Sequence, residues 1–129
     1  MVTNKELFEK ARKLSKEKQL TEEAVLGYVG AALLTEKNKV HTGVSFTGAC
    51  GQGFCGEIGA ILSMLKTGET RIKKIVAVSN DFKHMPPCGR CRELMFQIDR
   101  KNLNTEIILE NRTVKLKELL PERWQELWG

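Results

Sequence analysis

The sequence has little of what a secreted scaffold, a membrane protein or a nucleic-acid-tracking module needs. Four cysteines in 129 residues, at 50, 55, 88 and 91, are too few and too unevenly spaced for a disulfide framework. In a reducing compartment such a set binds metal or reacts. No apolar run approaches the roughly 20 residues that cross a bilayer, and the segment Met1–Lys18 is charged and amphipathic, without the apolar centre of a secretory leader. These absences predict a soluble, cytoplasmic chain with no membrane partner. Aromatic residues are also scarce, with one Tyr, two Trp and five Phe, mostly in apolar contexts, so no platform for stacking RNA or DNA bases stands out. Acidic residues are outnumbered, giving a formal charge of +5. Yet Lys5, Lys10, Lys13, Lys16 and Lys18 interleave with Glu6, Glu9 and Glu17, the pattern of a solvated helix face rather than a nucleic-acid surface. With three prolines and no repeat, linker or low-complexity segment, the chain reads as one domain over residues 1–129.

What is present is ordered clearly. Thr3 with Glu6 makes a capping box, and Leu7, Phe8, Ala11 and Leu14 recur at helical spacing, so a helix is predicted over about 4–18. Val25 to Leu34 is nearly unbroken apolar, and Val40 to Phe46 follows a polar turn; together they predict a buried hairpin. Glycines at 48, 51, 53 and 56 mark a loop whose backbone passes close to something. A helix from Glu57 to Lys66, a buried strand from Ile72 to Ser79, a helix from Cys88 to about Arg100 and a strand from Glu106 to Leu109 come next. Leu116 to Leu120 closes the order as a short helix stopped by Pro121. This succession predicts an α/β sandwich on a mixed sheet.

The chemistry gathers at two predicted helix starts. Cys88 and Cys91 lie three apart, so both sulfurs can face one point, where helix N–H groups favour thiolates. Cys55 begins the other helix by the same logic, and the Ile72–Ser79 strand could bring the two starts together. Zinc held by three protein ligands, one ion per chain, keeps its fourth position for water, which becomes nucleophilic near neutral pH. Glu57, two residues after Cys55, is placed to move protons as a base and not as a ligand. Two other readings stay open on the residues alone. Cys50 could supply a fourth sulfur, making a noncatalytic zinc module whose basic surface contacts nucleic acid, or the same centre could edit a base within RNA or DNA. His41 and His84 read as strand-end residues, His84 also as a pocket candidate.

Cys-Gly-Glu followed by Pro-Cys-Gly-Arg-Cys resembles the cytidine deaminase family and, in detail, its blasticidin S deaminase branch. The likeness runs from about Val29 to Trp124 through Val29-Gly30-Ala31-Ala32-Leu33, Thr42-Gly43-Val44, Arg92-Glu93-Leu94 and Glu118-Leu119-Leu120-Pro121. It implies a three-layer α/β/α sandwich with about five strands. It also implies hydrolytic deamination of the cytosine moiety of a free nucleoside or analogue, with Glu57 carrying a proton to ring N3 and assisting departure of ammonia. Arg90 would sit behind the thiolates as a compensating charge. A homotetramer is implied too, with Trp124 beside a neighbouring subunit's site. Ordinary family members hold ribose with an Asn-x-Glu pair, whose places here are Ser45 and Thr47. Their stacking aromatic falls on Gly27, next to Tyr28, and their usual alanine on Gly56. An apolar Ile58 stands where many nucleoside enzymes have arginine. These departures imply a preference for a cytosine ring with other appendages than ribose, and the small Gly27 is expected to open volume for them.

Overall fold

Thr3 opens the first helix, α1 (Asn4–Leu14), its hydroxyl accepting the Glu6 N–H at 3.1 Å. The helix stops four residues short of the predicted end. Ser15 turns back on Arg12, donating its hydroxyl to the Arg12 carbonyl at 2.7 Å, and the chain enters a two-residue strand, β1 (Lys18–Gln19). The structure, a computed structural model, describes residues 2–128; Met1 and Gly129, the outermost residues of the predicted domain, lie outside the described residues. The hairpin follows as β2 (Val25–Thr35) and β3 (Val40–Thr47), then a short β4 (Gly53–Phe54) and the helix α2 (Gly56–Lys66). Next come β5 (Ile72–Ser79), as predicted, α3 (Gly89–Ile98), and a 3-10 turn at Arg100–Asn104. The last elements are β6 (Glu106–Ile108), β7 (Thr113–Lys115), α4 (Leu116–Leu119) and a 3-10 turn at Trp124–Trp128. No helix among the described residues is long and apolar enough to cross a membrane.

The sheet has seven strands rather than five, in the order β4-β3-β2-β5-β6-β7 with β1 added beside the start of β2. The residue pattern gives four of these strands and does not register β1, β4 and β7, which are two or three residues long, too short for a period-two pattern. Pairing is antiparallel except between β5 and β6, so the sheet is mixed. Successive residues of the central strands point to opposite faces. Leu33, Ile75 and Ile107 join Ala60, Ile61, Met64 and Met95 under α2 and α3. Ala32, Leu34, Val76, Val78 and Ile108 pack with Leu7 and Ala11 of α1. That division makes three layers, and two-sided burial explains why Val25–Leu34 reads as an unbroken apolar run.

Small residues let α2 lie close on the sheet. A Cβ at Gly43 of β3 would stand 2.4 Å from both the Ala60 amide and the Gly56 carbonyl. Gly43→Ala is therefore expected to lower stability by about 1–3 kcal/mol through overpacking. Because the displaced backbone is the first turn of α2, activity should fall further than the fraction unfolded explains. Thermal unfolding alongside turnover decides; an unchanged Tm would show that α2 shifts without cost.

Candidate active site

Two helix starts meet at the edge of β5. Cys55 is the residue capping α2 and Cys88 the one capping α3, both in extended backbone (φ −71°, ψ 156° and φ −70°, ψ 168°). The loop after β5 returns along the strand before delivering Cys88, with the Met85 N–H on the Ala77 carbonyl at 2.9 Å. Arg92 fixes that delivery: its Nε donates to the Pro87 carbonyl at 2.7 Å and its Nη1 to the Leu119 carbonyl at 3.0 Å. The far end of α3 is pinned by buried Asn102, which donates to the Met95 and Thr70 carbonyls and accepts the Ile72 N–H.

The sulfurs of Cys55, Cys88 and Cys91 lie within 4.8 Å of one another, with Cys55–Cys88 at 3.2 Å and Cys88–Cys91 at 3.8 Å. A zinc–sulfur tetrahedron with bonds of about 2.3 Å has edges of about 3.8 Å. The donor set therefore fits zinc in size and softness. Cys50 is not part of the group; it is exposed, with φ +57°, in a turn closed by the Gln52 N–H on the Ala49 carbonyl. Cys88 is partly desolvated, which opposes ionisation, but the Cys91 N–H, the Cys55 thiol and the Arg90 N–H hold it below a thiol's ordinary value. Desolvation pushes Cys55 up, as does its hydrogen bond with Cys88. Cys91, fully buried, is driven far up by desolvation and then by the charge of Glu57. A set of thiols in which one ionises readily and the others resist is one that a cation would complete.

Glu57 stands in the first turn of α2, 4% exposed, and desolvation raises its carboxyl above the usual range against the pull of its own backbone N–H. It lines a cavity of about 420 Å³ together with Cys55 and Cys88, a size suited to a small organic ligand. Tyr28, Ser45, Thr47 and Arg90 line the same cavity; buried Cys91 joins the site through the sulfurs of Cys55 and Cys88, and of the predicted site residues Trp124 alone stands apart from the cavity and the thiol group. Trp124 is half-exposed on the C-terminal turn, its Nε1 donating to Glu93 Oε2 at 3.2 Å. Arg90 acts on Cys88 through its backbone N–H, which helps hold that thiol below its ordinary value.

Two expectations change. Gly27 does not line the cavity and opens no volume there; a Cβ on it would meet the Lys16 carbonyl at 2.3 Å, so it makes room for the passing chain. Ser45 lines the cavity, but its hydroxyl is engaged by the Gly27 carbonyl and the Val29 N–H. His84, read as a strand-end residue and pocket candidate, bridges Val78 of β5 and lines a separate surface hollow, its ring 4.5 Å from that of Phe8. The sequence reading also missed Phe46 and Phe54, stacked at 5.7 Å in the cavity wall, and Met85 and Pro86 opposite. Phe54 immediately precedes a ligand-type cysteine, and that adjacency was the available signal.

Three thiols at two helix starts, beside a buried carboxylate that opens on a ligand-sized cavity, define a zinc-dependent hydrolase. Residues 1–106 match the family described as the cytidine and deoxycytidylate deaminase zinc-binding region. A cytidine deaminase of Halalkalibacterium halodurans is 30% identical over 99 residues, covering 72% of this chain and 74% of that protein. One from Mycobacterium tuberculosis is 28% identical over 97 residues, covering 73% and 70%. The crystal structure of the cytidine deaminase from Burkholderia pseudomallei superposes with a TM-score of 0.76 at 27% identity, over 95% of this chain and all of that one. That from Mycobacterium tuberculosis gives 0.79 at 24%, over 96% and 98%. The chain belongs to the cytidine and deoxycytidylate deaminase family, zinc-dependent hydrolases of a carbon–nitrogen bond.

Proposed function

We propose that the chain deaminates the cytosine moiety of a free nucleoside or nucleoside analogue, releasing ammonia and leaving the uracil form. The observation that carries this reading is the buried Glu57 lining one cavity together with Cys55 and Cys88 of the three-thiol group. Cys55, Cys88 and Cys91 are the residues that would hold zinc, one ion per chain. Zinc there supplies Lewis acidity and, through it, a water nucleophile active near neutral pH. Glu57 accepts a proton from the attacking water and delivers it to ring N3 as the bond to C4 forms, then takes the remaining proton from the new C4 hydroxyl and passes it to the amino nitrogen as the C4–N bond breaks, leaving the C4 carbonyl and ammonia. Desolvation suits the carboxyl to this exchange, since a raised pKa brings its two protonation states closer in energy at working pH. Thr47 and Tyr28 offer polar edges to a substrate's appendage, against a wall of Phe46, Phe54 and Met85. Resemblance supports a cytoplasmic homotetramer in which Trp124 faces a neighbouring subunit.

Apart from Glu57, no carboxylate or amide side chain among the described residues lines the cavity, and the Ser45 hydroxyl is engaged within the chain. Each ribose hydrogen bond so forgone forfeits about 0.5–1.5 kcal/mol, roughly two- to tenfold in kcat/KM. Unmodified cytidine is expected to be poorer than a cytosine ring with other appendages, a blasticidin S-type antibiotic among them. Cytidine, deoxycytidine, cytosine, blasticidin S and 5- or N4-substituted cytosine nucleosides, compared by ammonia release and loss of ring absorbance, test both statements. Highest kcat/KM for cytidine would overturn the preference; no turnover of any would overturn the deaminase reading.

A further inference from the structure

The pairing of β2 with β3 slips between Leu26 and Gly30, and the slip is built from two residues in the left-handed region, Gly27 at φ +115° and Tyr28 at φ +64°. Gly27 is there because only glycine fits against the Lys16–Glu17 backbone. Tyr28 has no such licence, since its Cβ makes that conformation unfavourable. The surroundings must hold it, and a backbone outlier held at a cavity wall points to function. What holds it is on the adjacent strand. Ser45 donates its hydroxyl to the Gly27 carbonyl and accepts the Val29 N–H at 3.1 Å, bridging the residues on either side of Tyr28. Ser45 is 8% exposed, whereas Tyr28 is 38% exposed and turned to the cavity. The bulge also reaches the metal-side helix: a Cβ at Gly56 would stand 3.0 Å from the Val29 carbonyl, so the glycine there leaves room for the bulged strand.

Resting on the deaminase reading, we propose that Ser45 is a positioning residue: its hydroxyl clamps the Gly27–Val29 bulge and so presents the Tyr28 ring to the substrate, without itself touching the substrate. The bulge thereby puts an aromatic ring in the cavity wall.

A double-mutant cycle on the zinc-loaded protein tests this, with whichever of cytidine and blasticidin S the parent turns over faster. Ser45→Ala and Tyr28→Ala are each expected to raise KM about tenfold, on the scale of one lost ring contact, with kcat within threefold. The double variant should be no worse than Tyr28→Ala. Tyr28→Gly, which suits the left-handed backbone, should raise Tm by a few degrees while raising KM as Tyr28→Ala does. Should Ser45→Ala not fold, it is combined with Tyr28→Gly, where KM is expected to match that of Tyr28→Gly alone. Multiplying losses in the cycle, or an unchanged KM for Ser45→Ala beside a large effect at Tyr28, would overturn the proposal. Absence of turnover by the parent would remove the deaminase reading and this inference with it, while an active parent with multiplying losses removes the inference alone.

Discussion

Glu57→Gln is expected to lose about 10²–10⁴ in kcat, the usual worth of a positioned acid–base group, while keeping its zinc and its fold. The amide nearly matches the carboxyl in size but cannot take up and return a proton. Stability should not fall. Desolvation raises the Glu57 carboxyl, so the folded chain keeps this proton to higher pH than the unfolded one, and above the unfolded pKa the buried charge opposes folding. A neutral amide removes that opposition, so with zinc stripped from both proteins the Tm at neutral pH should equal or exceed the parent's. Metal analysis, calorimetry and steady-state turnover of the same preparation give the answer. Activity within about tenfold of the parent, or roughly 1.4 kcal/mol in barrier, would mean another group moves the proton. Loss of zinc would make Glu57 a ligand instead.

The chemistry was legible in the sequence because it is local. Cys88 and Cys91 share a helix start, Glu57 follows Cys55 by two residues, and β5 between the two starts is long and apolar enough to read from Ile72 to Ser79. Its neighbour β2 was legible for the same reason, a run buried on both faces. What was not legible depends on residues far apart in the chain. Nothing near Gly27 in the chain announces that Lys16 and Glu17 press against it, so in the sequence its small size reads as open space. Ser45 and Gly27 lie 18 residues apart, and only their pairing across β2 and β3 turns a serine at a presumed ribose site into part of the backbone's own support. Likewise Phe46 and Phe54 become one wall only through the pairing of β3 with β4, a strand of two residues.

Cys91→Ala should leave a chain that cannot retain zinc and does not turn over, whereas Cys50→Ser should keep one zinc per chain. The asymmetry follows from burial. Cys91 is fully enclosed between Cys88 and Glu57, and its thiol resists ionisation because of desolvation and the Glu57 charge. A bound dication reverses that by offsetting the negative charge it sits among. Without the Cys91 sulfur, Cys55 and Cys88 offer two thiolates beside a carboxylate at an open cavity, a weaker set for a soft-leaning ion. Cys50, exposed on its turn and outside the group, has no share in this. Because zinc binds the folded chain and stabilises it by mass action, a chelator should lower the parent's Tm and that of Cys50→Ser, yet leave Cys91→Ala unmoved. X-ray absorption on the parent should show three sulfurs and at least one lighter neighbour around zinc. Four sulfurs, together with loss of zinc in Cys50→Ser, would convert the centre into a closed structural site and end the catalytic reading.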